Sequence, residues 1–277
     1  MSLLTNPAPV HIISPMKYTW LFVLAAGIIL FTVLDLSLRA TGNTGLLTAV
    51  LFLGAFTIPI SLVIYFYDHI RDHDISRPLL AACFMVGGGL GLLAAGLVEF
   101  GTLRTLGLGA LIAVGFIEEA AKLIFPLFMY TRKSYRHEAD GLLFGVAAGM
   151  GFAALETMGY GLLAFVQSQG SIGSLEQTLL LRGLLSPAGH VAWTGLVCAV
   201  LWRERQRAGH ALINLKVLVA FLLAVTLHTS WDIVNTLNMP AAVSYGGMIV
   251  ISTASLTFLL MRYRESRRTL PGADITA

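Results

Sequence analysis

Seven ionisable side chains stand inside runs that are otherwise apolar. Glu118, Glu119 and Lys122 interrupt one run and Glu156 a second; His190 lies in a third, and His228 with Asp232 in a fourth. These are the residue types that bind divalent metals, relay protons and activate water. An ionisable group at a bilayer centre costs about 2.5–3.5 kcal/mol on insertion scales, so the set costs on the order of 10 kcal/mol unless its members pair, stay neutral or hold an ion. Small residues join helices far more cheaply, so the set marks a functional site. A lone membrane histidine is more often a hydrogen-bonded core residue; two of them, opposite carboxylates, reverse that preference.

The elements that must carry these residues are membrane helices. Of 277 residues, 56% are hydrophobic and 12% charged, with a mean hydropathy of +0.79. An ordinary soluble domain is about 25% charged, so this composition excludes a water-facing globule. Cys83 and Cys198 both sit in apolar runs and are expected to pack. Eight stretches are long enough to span, at about 20 helical residues each. They are Tyr18–Leu38, Gly45–Tyr67, Leu79–Glu99, Leu106–Tyr130, Gly141–Val166, Leu184–Trp202, Ala211–Asn235 and Ala241–Met261. The fold class is therefore an all-α, polytopic transmembrane bundle. Residues 1–277 form one membrane domain, with a functional core of about 106–235 in spans four to seven, and the first span is expected to act as an uncleaved anchor. No nucleic-acid partner is expected; the partner surface is the lipid bilayer.

Basic residues orient the bundle. With a cytoplasmic N-terminus, the inner segments hold thirteen: Lys17, Arg71, Arg77, Arg132, Lys133, Arg136, Arg203, Arg205, Arg207, Arg262, Arg264, Arg267 and Arg268. The opposite face holds Arg39, Arg104 and Arg182. The positive-inside rule then puts both termini in the cytoplasm, which an even number of spans satisfies. His11, His69, His73, His137 and His210 fall in the tail or inner segments and are expected to be solvated; Asp35 and Arg39 are expected to pair at the outer boundary.

Depth and helical phase then bring the seven residues together. Glu119 and Glu156 flank a midpoint in the basic loop Arg132–Glu138, and His190 and His228 one beside Arg203–Arg207. Glu119 to Arg132 and His190 to Arg203 are both 13 residues, roughly 20 Å of helix. All four can share one layer, nearer the outer face. At 100° per residue, Gly141, Gly145, Gly149, Phe152 and Glu156 fall on one stripe, whose glycines admit a close neighbour and turn Glu156 toward protein. Glu118 and Lys122 are four apart and able to pair. Pro126 cannot donate to the Lys122 carbonyl, so a kink is expected there.

Four motifs in this order resemble the PrsW family of intramembrane metalloproteases, relatives of the CAAX-processing membrane proteases. They are Glu118-Glu119-Ala-Ala-Lys122; Asp140-Gly141 through Phe144-Gly145 to Gly151-Phe152-Ala-Ala-Leu-Glu156; His190-Val-Ala-Trp193-Thr194; and His228-Thr-Ser-Trp231-Asp232. The resemblance covers about residues 115–235. Where the family often has Asn after the glutamate of the second motif, this chain has Thr157.

The resemblance implies an intramembrane endopeptidase with a divalent metal, zinc, acting on a membrane-protein substrate such as a single-span regulator or anti-sigma factor in a prokaryotic cell membrane. A metal with three protein ligands and one water brings that water's pKa toward ~7. The expected ligands are Glu156, His190 and His228. Glu118 or Glu119 is the expected base, and adjacent helix positions, about 100° apart, leave that choice open. Asp232 and Lys122 are expected to orient an imidazole, hold substrate or keep Glu118 ionised. Other readings use the same residues: an ion or proton transporter, which needs groups staggered in depth; a binding or scaffolding protein with a retained pocket; and hydrolysis by glutamate-activated water without metal. Haem between the histidines suits the neighbouring carboxylates poorly.

Overall fold

The computed structural model describes residues 18–70, 75–102, 109–132, 134–209, 212–237 and 239–268. Lys17, Arg71, Arg104 and Lys133 of the charge count, His11, His73 and His210, and the start of the expected fourth span lie outside the described residues. Among the described residues all regular structure is helical. In chain order the helices are α1 (Thr19–Thr41), α2 (Leu47–His69), α3 (Arg77–Ala82), α4 (Gly88–Thr102), α5 (Gly109–Lys122), α6 (Ile124–Tyr130), α7 (Glu138–Gln167), α8 (Ile172–Leu185), α9 (His190–Ala208), α10 (Leu215–Thr236) and α11 (Ala241–Arg268). A π-helical turn, Cys83–Gly87, joins α3 to α4.

Among the described residues, seven helical runs are long and apolar enough to cross a membrane, one of them the stretch Ile172–Ala208 that holds both α8 and α9. The remaining expected span is in two pieces, α5 and α6, which part at Leu123. There the Leu123 N–H reaches back three residues, to the Ala120 carbonyl. Pro126 has no N–H for Lys122 but is tolerated in the first turn of a helix. The chain therefore ends one helix at Lys122 and starts another.

The sixth expected span, Leu184–Trp202, begins later than its apolar run suggests. Leu184 and Leu185 close α8, residues 186–188 form a 3-10 turn holding Pro187, and α9 starts at His190. Proline pre-sets such a turn, and Gly189 takes a non-helical conformation (φ −107°, ψ −120°). Arg182, counted from the sequence as an outer loop charge, lies inside α8.

Helices α7 and α9 are the inner pair, and glycine is what lets them meet. A Cβ on Gly141 would stand 2.6 Å from the Cys198 carbonyl oxygen, one on Gly145 2.6 Å from that of Thr194, and one on Gly149 2.6 Å from that of His190. The stripe thus faces α9 along three turns. By contrast α1, α10 and α11 leave Phe22, Ile29, Val219 and Ile249 exposed, apolar faces suited to lipid. At the basic end, buried Glu138 pairs with Arg262 at 3.6 Å, and Glu204 with Arg203 at 3.1 Å and Lys216 at 3.3 Å. Here the arginines of the basic end also bind helix ends together.

Candidate functional site

Two close helix approaches build the site. On α5, a Cβ at Gly115 would meet Thr229 Oγ1 of α10 at 2.6 Å, so α5 and α10 touch and Glu118 and Glu119, one turn on, face His228. On α7, Gly149 packs on the His190 carbonyl at the start of α9. Glu156 lies two turns further along α7 and reaches the same imidazole.

All seven residues singled out from the sequence come together. His228 Nδ1 is 2.9 Å from Glu119 Oε1, which fixes the Nδ1–H donor and leaves the Nε2 lone pair outward. That Nε2 stands 3.5 Å from Glu118 Oε2 and 3.6 Å from Asp232 Oδ2. His190 Nε2 is 2.9 Å from Glu156 Oε2, and its Nδ1 is 2.7 Å from Lys122 Nζ. Lys122, fully buried, also donates to Glu119 Oε1 at 2.7 Å and Glu118 Oε2 at 3.4 Å, and its ammonium lies 4.3 Å from the centre of the Phe152 ring. Of the adjacent glutamates, Glu119 is sealed, with 1% of its side chain exposed against 10% for Glu118. Only Glu118 can meet solvent or substrate.

Two residues at the site were given no part in it by the sequence. Trp193 stacks on His228 (ring centroids 4.7 Å apart, planes at 23°) and meets His190 edge-on at 5.3 Å. Its Nε1 donates to Ser255 Oγ at 2.9 Å, so both imidazole planes rest on an anchored ring. Its position three residues after His190 was the available signal. Arg182 contacts Glu156 Oε2 at 2.6 Å. The signal for it was a single cation within the leucine-rich stretch Leu179–Leu185.

The residues fit a divalent cation. Glu118, His190 and His228 each offer one ligand atom, and the three atoms lie within 4.8 Å of one another. Asp232 Oδ2 is buried without a hydrogen bond, a condition a cation relieves. With imidazoles neutral, the carboxylates of Glu118, Glu119, Glu156 and Asp232 outnumber the cations Lys122 and Arg182 by four to two, leaving two negative charges in a buried space.

A multi-pass helical membrane protein with such a cluster among its inner helices is equipped for hydrolysis within the bilayer. The model of the family described as PrsW family intramembrane metalloprotease matches residues 76–260, about two thirds of the 277 residues. The chain belongs to that family: it is an intramembrane metalloprotease, a peptidase that acts on membrane proteins and uses a divalent metal. No curated protein and no solved structure matches it.

Gly149→Ala is expected to shift the His190 backbone and slow cleavage about tenfold, at a cost of about 1–3 kcal/mol for overpacking against a carbonyl. Gly159 is on the same helix with nothing within 4 Å of an added Cβ, so Gly159→Ala is expected to leave activity intact and melt no lower. Cleavage rates and thermal unfolding of the two variants check this.

Proposed function

We propose that this protease cleaves a single-span regulator, such as an anti-sigma factor, in a prokaryotic cell membrane, with zinc held by His190, His228 and Glu118. The close Glu118–His190–His228 group carries the reading. Bound there, zinc supplies a Lewis acid and a water made nucleophilic near neutral pH. Two neutral imidazoles and a carboxylate are an ordinary ligand set for it. Glu119 accepts a hydrogen bond from the Nδ1–H of His228 and so holds the ring in the tautomer that presents Nε2, as carboxylates behind metal-bound histidines do. Glu156, ion-paired yet facing His190 Nε2, is placed to take the proton of the attacking water and pass it to the leaving amine. Asp232 stands beside His228 Nε2 on the open side and is suited to holding a substrate N–H.

The expectation from sequence had these two carboxylates reversed, with Glu156 ligating and Glu118 or Glu119 as base. The sealed position of Glu119 supports an orienting role for it in either arrangement. The orientation with both termini inside, and a core of about 106–235 within one domain of 1–277, complete the proposal.

Purified protein reconstituted in lipid is expected to contain zinc and to cleave a model single-span substrate. It is expected to lose both properties on chelation, regain both with zinc, and lack both as His190→Ala. Cleavage that persists in fully metal-free protein would overturn the zinc assignment and favour water activated by glutamate alone. Turnover unaffected by His190→Ala would overturn the site.

A further inference from the structure

Resting on the protease reading, we infer that Arg182 is a positioning residue, its guanidinium holding the Glu156 carboxylate against His190. The oxygen at issue is shared: Glu156 Oε2 lies 2.6 Å from Arg182 Nη2 and 2.9 Å from His190 Nε2. The guanidinium is itself fixed to the surface of α7. Its Nε donates to Thr157 Oγ1 at 3.4 Å and its plane lies over the Tyr160 ring, 4.2 Å from the centroid. These contacts involve residues one and four positions beyond Glu156, so the cation rides on the same helix face as the carboxylate it holds. A planar fork loses little freedom in making such contacts, whereas a glutamate side chain without it is free to swing.

Arg182 also stands at an opening. It is 27% exposed and lines, with Thr157, Ser186, His190 and Trp231, a cavity of about 30 Å³. That is room for water, which needs about 10–15 Å³ and two to four polar partners. The guanidinium therefore touches the carboxylate and also lines this space, which reaches His190. The helix that supplies Arg182 has a separate anchor: Glu176, also on α8, pairs with Arg39 of α1, which in turn holds Asp35 at 3.1 Å. Cutting that second pair loosens α8 without touching the site, and this separates positioning from mere docking.

The test uses full-length protein in lipid, with kcat and KM measured separately on the model substrate and zinc affinity measured by competition with a chelating dye. Arg182→Ala is expected to lower kcat or weaken zinc binding by about 10–100-fold, the range for groups that orient a metal site from behind, with KM within about threefold. Arg182→Lys keeps the charge without the fork and is expected to recover part of the loss, which also shows that the change is not a folding defect. Glu176→Gln is expected to match the wild type in both readouts. Wild-type kcat and zinc affinity in Arg182→Ala would overturn the inference, and so would an equal loss in Glu176→Gln. A wild-type protein that neither binds zinc nor cleaves sinks the protease reading, and this inference with it.

Discussion

Glu118→Gln is expected to strip zinc from the protein, while Glu156→Gln keeps zinc and loses about 10²–10⁴-fold in kcat, the usual worth of a positioned acid–base group. The two variants are the same chemical change at carboxylates that both lie within a few ångströms of His190, so a general effect of lost charge would move them together. The geometry separates them. Glu118 offers an oxygen within 4.8 Å of both histidine ligand atoms, and an amide there is a poor replacement for an anionic ligand. Glu156 meets only His190 of the two and is held from behind by Arg182. Its amide keeps the shape but cannot accept the proton of water. Metal content by elemental analysis and single-turnover cleavage check both halves. The reverse pattern, with zinc lost from Glu156→Gln and retained by an inactive Glu118→Gln, would restore the assignment expected from sequence.

What was legible in the sequence, and what was not, follows from the range over which each signal acts. Apolar length is a local property, and the spans were readable from it, as was the glycine stripe that meets α9. The gathering of Glu118, Glu156, His190 and His228 was readable too, because helical rise converts sequence distance into depth without knowledge of packing. Hydropathy cannot see a helix boundary inside a continuous apolar run. The turn at residues 186–188 was missed for that reason, though Pro187 and Gly189 marked it. The miss had a consequence: with the sixth span begun at Leu184 and most of α8 left in the connection before it, Arg182 became an outer loop charge instead of the partner of Glu156. The break at Leu123 was foreseen as a kink because a missing proline N–H is local. Which of Glu118 and Glu119 faces the opening depends on how α5 is rotated against α10, and Gly115 against Thr229 sets that. A contact between residues more than a hundred positions apart leaves no local trace.

Lys122→Met is expected to destabilise the metal-free protein by about 3–5 kcal/mol, the cost of breaking a buried ion pair and leaving its partner charged. Lys122 has no solvent exposure, donates to Glu119 and Glu118 and lies 2.7 Å from His190 Nδ1, and Glu119, 1% exposed, then keeps only His228. Methionine nearly fills the lost volume and packs well on the Phe152 ring, so a large loss reports on charge rather than on a cavity. The double variant Lys122→Met/Glu119→Gln removes both charges and is expected to regain most of the stability, since replacing a whole buried pair is far cheaper than halving it. It is not expected to regain activity, because an amide in place of Glu119 no longer fixes His228 with the same strength. Zinc adds positive charge to the same space, and anything that binds the folded state alone raises its stability. The loss in Lys122→Met is therefore expected to be smaller in zinc than in chelator. Denaturant unfolding in detergent, run in both conditions, measures all three proteins; equal stability of Lys122→Met and wild type in chelator would show that the ammonium does not hold the cluster together.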